Sequence, residues 1–196
     1  MKMRTLIGAM VGLLIGVGLV GIAGAVYVRA TGLDNRSTSG AFEARLARVA
    51  RRLALPADVA IQRNPVALTP EALAEGMSHF ADHCAGCHAN DGSGATEMGR
   101  GLYPRAPDMR QPATQTLSDG ELLYVIEHGI RFTGMPAWST GTKEGEESTW
   151  RLVHFIRHLP ALTASDVETM KQLNPASPEQ IRLEIEEERF LSEGAK

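Results

Sequence analysis

The chain has two cysteines among 196 residues, and both fall in one pentapeptide, Cys84-Ala85-Gly86-Cys87-His88. At most one disulfide can form, so a small domain stapled by several bridges is excluded, as are iron–sulfur clusters on four thiolates and zinc ribbons. Two cysteines dropped at random would stand three apart about once in a hundred chains of this length, and a histidine directly after them makes the coincidence about thirtyfold rarer. Cys-x-x-Cys-His is the pattern of covalent c-type haem attachment. Its spacing has a physical logic: the two thiols form thioether bonds to the two haem vinyl groups, and the adjacent imidazole is delivered to one face of the iron. Structural zinc would need four protein ligands, and no second Cys/His pair stands at finger or ribbon spacing. A thioredoxin-like dithiol needs a βαβ setting, which the rest of the pattern lacks.

Charge and hydropathy divide the chain into unlike parts. A net charge of -3 and a pI near 6.1 give no bulk attraction to nucleic acid, so nucleic acid is not an expected partner. Charged residues at 22% and hydrophobic ones at 43% are ordinary for a folded chain. Residues 5–28 carry no charged side chain; as a helix they span roughly 36 Å, enough to cross a hydrocarbon core of about 30 Å. Ala23-Gly24-Ala25 offers a signal-peptidase-like site. The apolar block nevertheless exceeds the usual h-region of about 7–15 residues, so a retained membrane anchor is expected. Gly8, Gly12 and Gly16 recur at every fourth position. They would let another helix approach closely, although glycine is common in such spans. Lys2 and Arg4 before the span compete with Arg29, Arg36 and Arg45 after it, so charge does not decide the orientation.

Residues 31–40 read as a flexible tether rich in Thr, Ser, Gly and Asn. The next segment, 41–53, places Phe42, Leu46, Val49 and Leu53 at helical steps, with Arg45, Arg48, Arg51 and Arg52 on the remaining faces. It is read as an amphipathic helix packed on its own domain with solvated arginines; an anionic membrane surface or a partner are the other readings. Residues 57–68, with Pro56 and Pro65 at or near the ends, are expected to be extended. Thr69-Pro70-Glu71 supplies a hydroxyl cap, a first-turn proline and an acid at the positive end of a helix running to about His83. Ser118-Asp119-Gly120-Glu121 is a capping box for a helix through His128, ended by Gly129. Further helices are expected over 146–159, stopping at Pro160, over 165–173, and over 178–191 behind Ser177 and Pro178. Strand alternation is missing and seven of the ten aromatic residues lie between Phe80 and Phe155, so an all-α packed domain with long loops is expected there. Residues 163–196 hold eight acids against four bases, and 41–63 five bases against two acids. These could pair, mark a docking surface, or simply be solvated.

A low-spin electron-transfer haem needs a sixth ligand, and the candidates are Met98, Met109, His128 and Met135. Met98 is ten residues beyond His88, a short reach to the opposite face of the ring. Met135, 47 residues beyond, sits in Phe132-Thr133-Gly134-Met135-Pro136-Ala137-Trp138, where Gly and Pro fix a loop. It is the preferred ligand, and Met98, Met109 and Met77 are read as ordinary packed methionines.

These features together resemble the class I cytochromes c, specifically the small monohaem domains of bacterial membrane-anchored cytochromes. The resemblance covers residues 69–160. Gly76 and Phe80 precede Cys84 at four-residue steps, as in the family's amino-terminal helix. Leu152-Val153-His154-Phe155-Ile156 is similar to its carboxy-terminal helix. Gly101-Leu102-Tyr103-Pro104-Arg105-Ala106-Pro107-Asp108-Met109 resembles its proline loop, and Gly134-Met135-Pro136 its axial-methionine loop. The resemblance implies one covalent haem c bound by Cys84 and Cys87, iron ligands His88 and Met135, and a proline carbonyl, Pro107 in preference to Pro104, accepting from the proximal imidazole. It further implies an electron carrier rather than an enzyme. The expected partners are redox proteins such as a dehydrogenase, an oxidase or a respiratory complex. The haem domain would lie on the periplasmic side of the bacterial cytoplasmic membrane, with the amino terminus inside. The expected division is an anchor at 1–30, tether and basic helix at 31–68, haem domain at 69–160 and an acidic helical extension at 161–196. The rival readings are a haem-bearing subunit of a larger oxidoreductase and a haem peroxidase or gas sensor.

Overall fold

The computed structural model describes residues 2–32 and 40–194, which fall into two compact units, Met1–Ser37 and Thr38–Lys196. The first unit is one helix, α1 (Lys2–Thr31), whose apolar stretch has a mean hydropathy of 2.5 and no buried residue; it is long and apolar enough to cross a membrane. Most of the expected tether lies outside the described residues.

The second unit opens with α2 (Ala41–Ala54). The connection after it is not wholly extended as expected, because a single 3₁₀ turn, Val59–Ile61, buries Val59. Asn64 Nδ2 donates to the Trp150 carbonyl at 2.8 Å, and a His154 ring nitrogen meets the Val66 carbonyl at 2.8 Å, so this connection is tied down along its length. Thr69 Oγ1 accepts from the Ala72 amide at 3.1 Å and starts α3 (Pro70–His79). The single helix expected as far as His83 is interrupted. The backbone widens into a π turn, Phe80–Cys84, and tightens again into α4 (Ala85–His88). Such a widening re-aims the side chains beyond it, and here those are the Cys-x-x-Cys-His residues.

Two short helices follow, α5 (Glu97–Gly101) and α6 (Pro112–Gln115). Next comes α7 (Asp119–His128), whose capping box is complete: Glu121 N donates to Ser118 Oγ at 3.1 Å and Ser118 N to Glu121 Oε2 at 2.6 Å. Gly129 ends it at φ 66°, a backbone state open to glycine. α8 (Lys143–His158) begins three residues before the expected Glu146, because Thr142 Oγ1 caps the Gly145 amide at 3.1 Å with Glu144 and Glu146 in the first turn. Pro160 lies in the 3₁₀ turn Leu159–Ala161 that closes α8. α9 (Ala164–Leu173) carries a Thr163–Asp166 capping box, and α10 (Pro178–Gly194) completes the described chain. Among the described residues there is no strand, and the fold is all-α.

The core is a crossing of α3 on α8. A Cβ on Gly76 would run into the Arg151 carbonyl and Phe155 Cβ, so the helices touch backbone to backbone there. One turn on, the Phe80 and Phe155 rings pack 5.3 Å apart at 55°. Leu152, Val153, Ile156 and Leu159 are fully buried around them, and α9 contributes Met170, also fully buried. Arg157 braces α7 against α8, donating from Nε and Nη2 to Asp119 Oδ1 at 2.9 and 2.8 Å, and to the Gln115 and Leu117 carbonyls.

Candidate haem site

A cleft of about 420 Å³ opens beside this core, within the usual range for a bound small molecule or cofactor. Its floor is the π turn and α4, which present Cys84, Cys87 and His88. One wall is the loop after α5, with Leu102, Tyr103, Pro104 and Pro107; the facing wall is the loop after α7, with Ile130, Met135 and Trp138. Thus the cysteine pair, the adjacent histidine, the favoured methionine and Pro107 border the same space.

Each group is held by local chemistry. Both cysteines are free, and burial pushes the Cys84 thiol up to about 12, with Cys87 and Asp82 adding to the shift. A thiol kept protonated is poorly suited to thiolate metal binding or disulfide exchange. Burial likewise holds the His88 imidazole below the ordinary histidine range, while the Pro107 carbonyl works in the opposite direction. His88 Nδ1 is buried with no partner at hydrogen-bond geometry, and Pro107 is the acceptor acting on it. A neutral imidazole is the form that ligates a metal. The Met135 loop is pinned on several sides. Met135 N donates to Thr133 Oγ1 at 3.1 Å, Ile130 N to the Met135 carbonyl at 3.1 Å, and Trp138 N to the Ile126 carbonyl at 3.0 Å. A Cβ on Gly134 would strike the Leu102 side chain, so the two walls approach closely there.

The other candidate ligands stand elsewhere. Met98 is 61% exposed on α5. Met109 packs against the core. The His128 ring stacks on Tyr124 at 4.0 Å, and its Nδ1 faces the Tyr124 carbonyl at 3.1 Å. None of the three lines the cleft.

One wall was not foreseen. Helix α2 lies along the cleft through Glu43, Ala44, Ala47, Arg48 and Arg51, and Tyr103 Oη donates to Glu43 Oε2 at 2.6 Å. This reverses the expectation that the helix packs by its apolar stripe, while Arg45, Arg48 and Arg52 are exposed as expected. Phe42, Leu46, Val49 and Leu53 are exposed, while Arg51 is half-buried with a buried, unpartnered Nε. The available signal was the alternation of small and cationic residues, Ala44, Ala47, Arg48 and Arg51, on the face opposite the apolar stripe.

The groups around the cleft suit an iron porphyrin: an apolar slot of cofactor size, two free thiols, an imidazole with an orphaned buried nitrogen, and a thioether on the facing wall. These features are those of a class I c-type cytochrome domain. Residues 71–156, less than half of the chain, match the family model described as cytochrome C oxidase, cbb3-type, subunit III. That match supports a haem-based electron carrier in a respiratory setting.

Proposed function

We propose that this chain is a single-pass, membrane-anchored monohaem cytochrome c that passes single electrons between redox proteins on the outer side of a bacterial cytoplasmic membrane. Supporting this reading is the gathering of Cys84, Cys87, His88 and Met135 around one cleft inside the matched stretch. Cys84 and Cys87 would hold the haem through thioethers, and His88 and Met135 would hold the iron. The group supplies one-electron ferric/ferrous chemistry when bound. The residues supply rigidity: the hydrogen bonds that fix the Met135 loop and the packing of α4 limit rearrangement of the ligands between the two oxidation states. Pro107, aimed at the proximal ring, would fix its tautomer and orientation. Thioether ligation favours the ferrous state relative to a second histidine, which suits an electron acceptor.

A pyridine haemochrome spectrum combined with a redox titration of the membrane fraction tests haem type, attachment and location together. The expected result is covalent haem c with a single one-electron wave. In Met135→Ala the ferrous spectrum changes and the midpoint falls; a variant matching wild type in both would remove Met135 from the iron.

The likeness to subunit III of cbb3-type cytochrome C oxidase favours a second reading, a haem-bearing subunit of an oxidase-like complex. Purification from solubilised membranes separates the two. A lone haem protein of monomer size supports the free carrier, and co-migration with a larger oxidoreductase supports the subunit.

A further inference from the structure

The cleft holds a cation that the iron ligands do not account for. Arg51 reaches into it from α2, its Nε buried and unpartnered, and its Nη2 meets only the Ala113 carbonyl at 3.5 Å. Among the described residues no carboxylate lies within ion-pair distance of Arg51. The Glu121 carboxylate, the acid acting on it through space, accepts from the Ser118 amide at 2.6 Å, and Glu43 accepts from Tyr103 Oη at 2.6 Å. Arg48, three residues earlier on the same face, borders the same space. A guanidinium offers five donors in a planar fork matched to carboxylates, and leaving it desolvated with so few acceptors is costly. This arrangement calls for an anion with two or more carboxylate oxygens inside the cleft.

We propose that Arg51, flanked by Arg48, binds the propionate carboxylates of the haem, so that α2 completes the cofactor site from outside the matched stretch. The inference rests on the haem reading above. Its electrostatic consequence has a definite sign. Reduction adds one negative charge at the iron, so a fixed cation beside the macrocycle favours the ferrous form, and its removal favours the ferric.

The test uses the full-length chain purified in detergent. Haem staining of the wild type on a denaturing gel comes first; a wild type without covalent haem would overturn the haem reading and this inference together. With haem present, Arg51→Gln is expected to keep the low-spin visible spectrum, to shift the ferrous/ferric ratio at fixed potential about tenfold toward ferric, equivalent to about 59 mV, and to move the propionate bending bands in the resonance Raman spectrum. Arg51→Lys should retain most of the ratio. Arg52→Gln removes the same charge from an exposed site outside the cleft and should shift the ratio by less than about twofold. An Arg51→Gln protein with unchanged ratio and bands would overturn the inference and leave the haem reading standing, as would an Arg52→Gln protein that shifts equally. If Arg51→Gln does not accumulate, Arg48→Gln is measured instead. A shift of about threefold with displaced bands supports the proposal, and no shift overturns it.

Discussion

Asp108 shows how one side chain sets the geometry of a loop whose neighbouring residue, Pro107, acts on His88. Its carboxylate takes Arg110 Nε on Oδ1 at 2.8 Å and Nη2 on Oδ2 at 2.9 Å, plus the Arg110 amide on Oδ1 at 3.0 Å; Gln111 Nε2 adds a bond to Oδ2 at 3.2 Å. Arg110 also reaches Asp91 Oδ2 at 3.1 Å, joining the proline loop to the turn after α4. The Arg110 hydrogen bonds hold the Asp108 carboxyl down at about 2, against an ordinary 3.8. A group whose acidity is strengthened by folding stabilises the fold above its unfolded value and loses that contribution as pH falls. The unfolding midpoint of the haem-loaded protein should therefore decline between about pH 4 and pH 2, and Asp108→Asn should flatten that decline. Midpoints measured at stepped pH check this, and an equally steep acid limb in the variant would refute it. The same residues show how much of the site is legible in sequence. Pro107-Asp108-Met109 announced a proline loop through its resemblance to the family's loop. The double clamp of Arg110 on Asp91 and Asp108 was not legible, since it joins residues 19 apart in sequence through a fold that must already exist.

At the level of elements, caps were readable and facing directions were not. The capping box at Ser118 and the hydroxyl cap at Thr69 act within four residues, so their chemistry is local and α7 and α3 begin where the hydroxyls stand. The start of α8 at Lys143 was missed because Thr142 sits between glycines in a stretch with no apolar period to mark it. Helix α2 was found with nearly correct limits but turned around. Periodicity identifies two faces; which of them meets the domain depends on the cleft opposite. A sharp expectation follows. Leu46→Gln and Val49→Gln should each change stability by less than about 0.5 kcal/mol in denaturant unfolding followed by haem absorbance, as exposed positions do. Were the stripe packed on the domain, losses in the range of about 2–5 kcal/mol would be seen instead.

Across the whole molecule, the core does not end with the matched stretch. Met170 of α9 is fully buried as part of the same hydrophobic cluster, whereas the described side chains of α10 are exposed. Met170→Ala is expected to cost about 2–5 kcal/mol, while a stop codon at Ser177 should leave the unfolding midpoint nearly unchanged. Denaturation of the two variants beside wild type measures both, and a neutral Met170→Ala would place α9 outside the cooperative unit. The contact at Gly76 has a consequence for how such a protein can diverge. With no room for even one methyl group between α3 and the Arg151 carbonyl, the helix crossing offers mutation almost nothing to vary. Heritable changes in redox potential or partner choice are thereby channelled into the loops that wall the cleft and into α2, while the crossing behind them passes from one descendant to the next as a fixed frame.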